Sequence, residues 1–278
     1  MANRRSERMR GRAAAAWRYV RTAPWTFSWL ALLLVTTIVQ HAVPLDDLKI
    51  ILGERSTNLT NLESDPLHVL VTSLLWVAGY FWLPYLVLYC VFHAPAERWL
   101  GALRWAIVGL LAHVGATYIS EGLLGWAIRH GYADPALVDV RDIGVSYFLA
   151  GIIGVLTYHI AYPWRWAYLV AATACFAAPP LIHLTFTGIG HFSAFLIGLA
   201  CYPLTRSRTA PTWNPAQARR DRHRRARSLV HRCASGRRSG AECLRRAKRV
   251  DVLWSARVHL HPRVSVPAPP RGNRRFAW

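Results

Sequence analysis

Apolar runs separated by short polar segments dominate residues 25–204 of the chain. Most of these runs have about the length that an α-helix needs to cross the hydrocarbon core of a bilayer, roughly 20 residues. The pattern predicts six membrane-spanning helices, at residues 25–43, 67–92, 102–120, 143–162, 166–184 and 189–204. The amphipathic stretch 122–128 is expected to extend the third helix, and Pro179 and Pro180 are expected to kink the fifth.

The first apolar run also has the position of a signal peptide, so two interpretations compete. A cleavable signal peptide has an apolar core of about 7–15 residues. Residues 25–43 form a longer run, and five further runs follow it. We therefore expect an uncleaved membrane span.

Charge is segregated from these apolar runs. The chain has 278 residues, of which 53% are hydrophobic, yet its formal net charge is +20. From residue 207 to the end there are 18 Arg and one Lys against three acids, and the first 24 residues hold seven Arg and one Glu. The sequence therefore predicts a basic N-terminus (1–24), a six-helix membrane domain (25–205) and a basic tail (206–278).

The basic residues also predict the orientation of the spans. Positive side chains are enriched in cytoplasmic loops, and Arg98, Arg104 and Arg165 fall on the same side as both basic ends if the spans alternate in direction. We expect a multi-pass protein of the plasma membrane with both termini in the cytoplasm. Spans two, four and six then begin at the outer face.

The tail from residue 207 has no hydrophobic periodicity, which is typical of disorder. Its basic stretches, like those of the N-terminus, are expected to attract anionic lipid headgroups, at about 1 kcal/mol per charge near the surface. Nucleic-acid binding is not expected, because no recognition motif accompanies the charge. An alternative interpretation is that the Arg-, Ala- and Pro-rich tail reflects a frameshift in a GC-rich gene.

Three polar residues, His68, Ser146 and His191, lie near the starts of spans two, four and six. Since those spans begin at one membrane face, the three side chains are expected at one depth. Reactive groups inside a membrane are costly and are therefore functional hypotheses. The plainer alternative is that the serine bonds to a carbonyl of its own helix and that the histidines bond between helices, as we expect for His113, His159 and His183.

Small residues surround both the serine and the last histidine. Gly144, Gly151 and Gly154 accompany Ser146, and Gly198 follows His191. Small residues let membrane helices approach closely. A hydrogen bond of about 2.6–3.2 Å between the serine and the histidine, which a base-activated nucleophile requires, is therefore within reach.

Two acids, Glu121 and Asp142, lie near the outer ends of the third and fourth spans. We expect Asp142 to cap the fourth helix and to complement its dipole. The alternative is that one of the two acids orients a catalytic histidine.

The chain resembles the rhomboid intramembrane serine proteases. In that family a Gly-x-Ser-Gly motif opens the fourth helix, with glycines five and eight positions after the serine. The sixth helix carries the histidine, with small residues three and seven positions later. The second helix opens with His-x-x-x-Asn, and a Glu-Arg…Leu-Gly…Arg pattern follows it. The matching residues are Gly144, Ser146, Gly151, Gly154, His191, Ala194, Gly198, His68, Thr72 and the segment from Glu97 to Arg104.

The resemblance implies an all-α, six-helix rhomboid-like bundle and a proteolytic mechanism. Ser146 would attack a backbone carbonyl in a transmembrane segment of another protein while His191 takes the serine proton. The Ser146 amide with His68 and Thr72 would stabilise the oxyanion, and one such donor is worth about 2.7–4 kcal/mol.

The chain departs from the family pattern at three positions. Tyr147 stands where a glycine follows the serine, Thr72 replaces the asparagine, and Ala150 stands where many rhomboids place a tyrosine under the histidine ring. On a helical wheel, Tyr147 lies three residues from that position and is not expected to replace it. The alternative function is therefore a catalytically inactive rhomboid-like protein that binds membrane clients or partner helices. A transporter or channel is disfavoured, because polar residues are not spread through the spans and no internal repeat is present.

The sequence predicts no metal, cofactor or structural disulfide. It contains no Cys-x-x-Cys pair, and Cys233 and Cys243 lack zinc spacing relative to His223 and His231.

Overall fold

The computed structural model describes residues 2–206 except 78, 80 and 184, together with residues 213–217, 220 and 224. These residues are mainly helical, and within them an isolated β-bridge joins Ile160 to Trp213. The α-helices of the described residues are α1 (Ala2–Val20), α2 (Pro24–Ala42), α3 (Leu45–Glu54), α4 (Leu59–Ser64), α5 (Pro66–Thr72), α6 (Trp82–Leu88), α7 (Ala94–Leu100), α8 (Ala102–Arg129), α9 (Val145–Leu156), α10 (Trp164–Ile182) and α11 (Phe186–Ala200).

Shorter helical turns adjoin several of these helices. A π-helical turn joins α6 to α7, and 3₁₀ turns lie after α5, before and after α9, and after α11. Their bounds are Tyr89–His93 for the π turn and Ser73–Leu75, Pro135–Asp139, Thr157–His159 and Tyr202–Thr205 for the 3₁₀ turns.

The chain divides into two compact units. The first unit comprises Met1–Arg208 with Thr212–Pro215 and contains the helices α1 to α11. The second comprises Thr209–Pro211 with Ala216–Trp278, and nearly all of it lies outside the described residues. The prediction of a disordered tail also falls there.

Helix α9 is the centre of the first unit. It packs against α8 and α11, and ten of its twelve residues are buried. A helix that is surrounded by other helices must be apolar on every side, which explains the nearly uniform hydrophobicity of residues 145–156. The residues that open the fourth predicted span are therefore held rigidly by two neighbouring helices.

The outer helices carry apolar side chains on their exposed surfaces. In the described residues, α2, α8 and α10 are long and apolar enough to cross a membrane, and three shorter apolar helices accompany them, at Pro66–Leu75, Val145–His159 and Phe186–Ala200. Along α10 only Ala172 is buried. A surface of this kind is stable against lipid but not against water. The expected extension of the third span is also present, because α8 runs without a break to Arg129.

The second predicted span is divided into two helical pieces. Helix α5 and its 3₁₀ turn end at Leu75, and α6 begins only at Trp82. Pro84 has no N–H to continue an α-helix from the preceding turn, and Gly79 adopts a φ of 83°, a left-handed conformation that other residues avoid. The prediction of one continuous helix over 67–92 is therefore wrong.

Candidate active site

Ser146 lies in the first turn of α9 and is half-buried. Its hydroxyl donates a hydrogen bond of 3.2 Å to the carbonyl oxygen of Ile143. This local bond is common for serines in helices and holds the side chain in place without another partner. The Ser146 side chain also faces a cavity.

The cavity beside Ser146 has a volume of about 430 Å³. Its walls come from α2, α3, α6, the break after α5, the segment before α9, and α11, which are far apart in the sequence. The polar side chains that line it are Gln40, Arg141, Asp142, Ser146, Thr187 and His191. A cavity of this size with several converging polar groups is the usual form of a ligand or substrate site.

His191 reaches the same cavity from α11. Its Nδ1 atom lies 2.8 Å from the carbonyl oxygen of Thr187. Because a carbonyl can only accept, Nδ1 carries the hydrogen in the neutral ring and Nε2 keeps a lone pair. Ser146 and His191 thus share one cavity, while each is hydrogen-bonded to a nearby carbonyl of its own segment.

The Tyr147 ring packs edge-on against the His191 ring, with the ring centroids 4.9 Å apart and the planes at 72°. Tyr147 is fully buried. Helix α11 crosses α9 closely enough for Gly190 to contact the Tyr147 hydroxyl. Tyr147 therefore packs against the histidine ring from a position different from that of Ala150, which it was not expected to replace.

Glycines in α9 and α11 allow the close approach that places the two side chains in one cavity. A Cβ atom on Gly198 would overlap the backbone of Gly151, and one on Gly154 would overlap the carbonyl oxygen of Phe195. A Cβ atom on Gly151 would overlap the Ala112 side chain of α8. Contacts between backbones at these positions are possible only without side chains.

His113 of α8 bonds between helices, as the sequence predicts, and lies beside the loop that precedes Ser146 without lining the cavity. It is fully buried, and a Cβ atom on Gly144 would overlap its ring. Its Nε2 atom lies 2.9 Å from the carbonyl oxygen of Leu70, so Nε2 carries the hydrogen in the neutral ring. The ring therefore ties α5 to α8 directly beside the loop that precedes Ser146. In the sequence, Gly144 is the feature that indicates close packing at this position, where the His113 ring lies.

A model of the rhomboid-like protein family matches residues 18–211, which is more than half of the chain. The chain belongs to the rhomboid-like family. No curated protein and no solved structure matches it. With its apolar helices, this membership makes the rhomboid-like protein a multi-pass membrane protein.

His68 and Thr72 of the rhomboid-like protein lie on α5, away from the cavity lining. His68 is exposed, and the Thr72 hydroxyl donates a hydrogen bond of 2.8 Å to the carbonyl oxygen of His68. The structure therefore does not bring these two side chains together with Ser146 and His191. Their role as oxyanion donors stays a prediction.

The described part of the rhomboid-like protein contains no group of three or more His, Cys, Asp or Glu residues that could hold a metal ion. Cys90, Cys175 and Cys201 are free thiols. Cys233 and Cys243 lie outside the described residues.

Asp142 lies at the end of the cavity next to the start of α9. Its side chain does not cap the helix as expected, because α9 begins later, with Gly144 at the N-cap and no side-chain capping bond. The main chain of Asp142 is instead bonded to Ser56 and Thr57 of the loop between α3 and α4. Burial raises the pKa of Asp142 to about 6, and hydrogen bonding to its neighbours, the Tyr147 hydroxyl first, opposes that rise.

Thermal stability of the rhomboid-like protein is expected to fall between about pH 4 and about pH 7, with about 3 kcal/mol coming from Asp142. Folding favours the neutral Asp142 carboxyl, so its contribution is complete below the pKa of the unfolded chain and is lost as pH rises through about 6. Asp142→Asn is expected to remove the share of this pH dependence that comes from Asp142, measured by thermal unfolding in detergent, while buried Glu121 stays in place. Asp47→Asn, at an exposed acid, is the control, and equal pH dependence in both variants would contradict the prediction.

Proposed function

We propose that this rhomboid-like protein is an intramembrane serine protease. Ser146 attacks a peptide carbonyl in a transmembrane segment of another protein, and Nε2 of His191 accepts the serine proton and returns it to the leaving amine. The substrates are membrane proteins whose helices unwind locally at the cleaved bond. Water then hydrolyses the acyl-enzyme, which releases the new carboxyl terminus and restores the Ser146 hydroxyl.

The shared cavity and the tautomer of His191 are the observations that support this proposal most directly. Ser146 and His191 line the same cavity. The bond from Nδ1 to the carbonyl of Thr187 leaves Nε2 as the acceptor that a general base needs. Rotation of the Ser146 hydroxyl away from the Ile143 carbonyl would free it to donate to that atom, because the present 3.2 Å bond is long for an O–H donor.

The same proposal includes six spans, with both termini on the cytoplasmic side of the plasma membrane. Contacts at one end of the helices support it. Arg98 donates to the Thr22 hydroxyl at 3.1 Å, and Arg104 donates to the Leu204 carbonyl at 3.2 Å. The start of α2, the turn before α8 and the end of α11 thus lie at one end, together with the basic residues that favour the cytoplasm. The basic termini are proposed to bind anionic lipid headgroups there.

Labelling with a fluorophosphonate probe tests the proposal, because such probes react with activated serines. The wild-type protein in detergent is expected to label, and Ser146→Ala and His191→Ala are each expected to lose labelling. Loss of either member of a catalytic pair costs nearly as much as loss of both. Ser193→Ala, which removes a hydroxyl two positions after His191 on α11 and outside the cavity lining, is the control and should label normally.

A client-binding protein without catalysis is the second candidate. The observation that favours it is the Ser146 hydrogen bond to Ile143, which leaves the serine without direct contact to the base. Folded wild-type protein that does not label would favour this function. The proposed protease would then be rejected.

A further inference from the structure

Tyr147 lies between the proposed base and helix α8, where it packs with Ala112 and Ala116. Its ring contacts His191 edge-on at 4.9 Å between centroids. Its hydroxyl contacts Gly190, where a Cβ atom would overlap it, so α11 passes directly over the ring. With no exposed surface, the Tyr147 side chain can shift only if its neighbours also move. The orientation of the His191 ring therefore depends on the position of Tyr147.

The main chain of Asp142 is held by the loop between α3 and α4. Its N–H donates to the Ser56 hydroxyl at 2.7 Å. Its carbonyl oxygen accepts from the Thr57 N–H at 3.0 Å and from both hydroxyls at 3.2 Å. Four bonds to one short loop segment leave the Asp142 backbone little freedom, although the residue lies outside any helix.

The carboxyl group of Asp142 lies next to the Tyr147 hydroxyl. Asp142 is 4% exposed and Tyr147 is 0% exposed. One carboxyl oxygen and the hydroxyl are both buried without a well-formed hydrogen bond to a described residue. Buried polar atoms in this state are costly, and a small rotation that closes the bond between them relieves both.

We propose that Asp142 is a positioning residue, which holds the Tyr147 hydroxyl and thereby keeps the His191 ring turned toward Ser146. This inference rests on the proposed protease function. Tyr147, held by Asp142, packs against the His191 ring, which the short side chain of Ala150 cannot do. The Asp142 carboxyl group also lines the cavity, but in this proposal it acts on His191 through the tyrosine ring and not by direct contact with the base.

The charge of Asp142 matters to this arrangement, because a carboxylate accepts a stronger hydrogen bond than a neutral carboxyl group. The titratable or charged groups around it are Glu121 on α8, Tyr147 on α9, His191 on α11 and the adjacent Arg141. Glu121 is also buried and close enough for its charge to oppose that of Asp142. The labelling rate is therefore expected to rise through about pH 6 as Asp142 ionises, since burial raises the pKa of Asp142 to about 6.

The test measures second-order rate constants of fluorophosphonate labelling across pH for the full-length protein. Asp142→Asn and Tyr147→Phe are each expected to slow labelling on the order of ten- to a hundredfold, because small displacements of a catalytic group have effects of that size. The double variant is expected to be no slower than Tyr147→Phe, since Asp142 acts through the Tyr147 hydroxyl, which also contacts Ser120. Asp142→Asn is also expected to lose the rise near pH 6. Tyr158→Phe removes a hydroxyl that bonds to Leu199 instead and is the matched control.

Thermal stability distinguishes a positioning role of Asp142 from a role in holding the fold together. Asp142→Asn is expected to keep or raise thermal stability near pH 7 while it slows labelling. A wild-type labelling rate in either single variant would overturn the inference. So would a double variant in which the two reductions of the labelling rate multiply. Either result would leave the protease proposal unaffected. If Asp142→Asn does not fold, Tyr147→Phe, which keeps the ring, decides the inference by the same criterion. Absence of labelling in folded wild-type protein would overturn both.

Discussion

Gly198→Ala is expected to destabilise the rhomboid-like protein by about 3 kcal/mol or more, since overpacking usually costs about 1–3 kcal/mol and more against a rigid neighbour. The added Cβ atom would overlap the carbonyl oxygen of Gly151 on α9. That neighbour is backbone, so the overlap is relieved only if α9 and α11 move apart. Because these helices carry Ser146 and His191, labelling is expected to fall along with the thermal unfolding temperature in detergent.

Gly122→Ala is the matched control for this prediction. Gly122 is also in a helix, but it is exposed and a Cβ atom there meets nothing within 4 Å. The same substitution is therefore expected to leave stability unchanged or to raise it by about 0.5–1 kcal/mol through helix propensity. If Gly198→Ala were as stable as Gly122→Ala, the close packing of α9 on α11 would be refuted.

Glu97→Ala is expected to destabilise the protein by about 1–3 kcal/mol or more, since one buried N–H left without an acceptor costs about that much and a second, partly buried N–H also loses its acceptor. The Glu97 carboxylate accepts hydrogen bonds from the N–H of Trp25 at 3.1 Å and of Thr26 at 2.7 Å, in the first turn of α2. The N-cap residue of α2 is Ala23, which makes no side-chain capping bond. Glu97, more than 70 residues later in the chain, therefore caps this helix and complements its dipole.

The measurement is thermal unfolding in detergent, with Glu63→Ala at an exposed acid as the control. Glu97→Gln keeps one acceptor oxygen and is expected to be intermediate between the wild type and Glu97→Ala. Equal stability of Glu97→Ala and Glu63→Ala would show that water or another group caps α2. The glutamate of the Glu-Arg pattern therefore has a structural role, which is to cap α2.

Much of the helical layout could be predicted from the sequence. Helices α2, α8 and α10 begin and end within a few residues of the predicted spans, apart from the extension of the third, because their apolar runs are long and local. The second span is two helical pieces and not one helix, and Pro84 is the residue in the sequence that indicates a break. Apolar composition alone does not distinguish a continuous helix from two helical pieces.

The candidate site was predicted in part. The order of the apolar runs predicted that Ser146 and His191 lie near each other, and both line one cavity without a direct hydrogen bond between them. The same reasoning placed His68 and Thr72 with them, but α5 is short and holds both away from the cavity lining. Equal depth in a membrane is therefore not enough, since the direction in which a side chain points depends on the rotation of its helix.

By itself, the sequence determined the properties that depend on local composition. These are the apolar runs, the segregation of positive charge, the glycines that permit close packing and the placement of the serine and the histidine near the starts of alternate runs. Only the tertiary structure decided which side chains touch: Tyr147 with His191, Glu97 with the start of α2, and His113 with Gly144. The physical reason is that each of these contacts joins residues more than 30 positions apart. Such contacts depend on how the helices cross and rotate, and the packing of the whole bundle sets those angles.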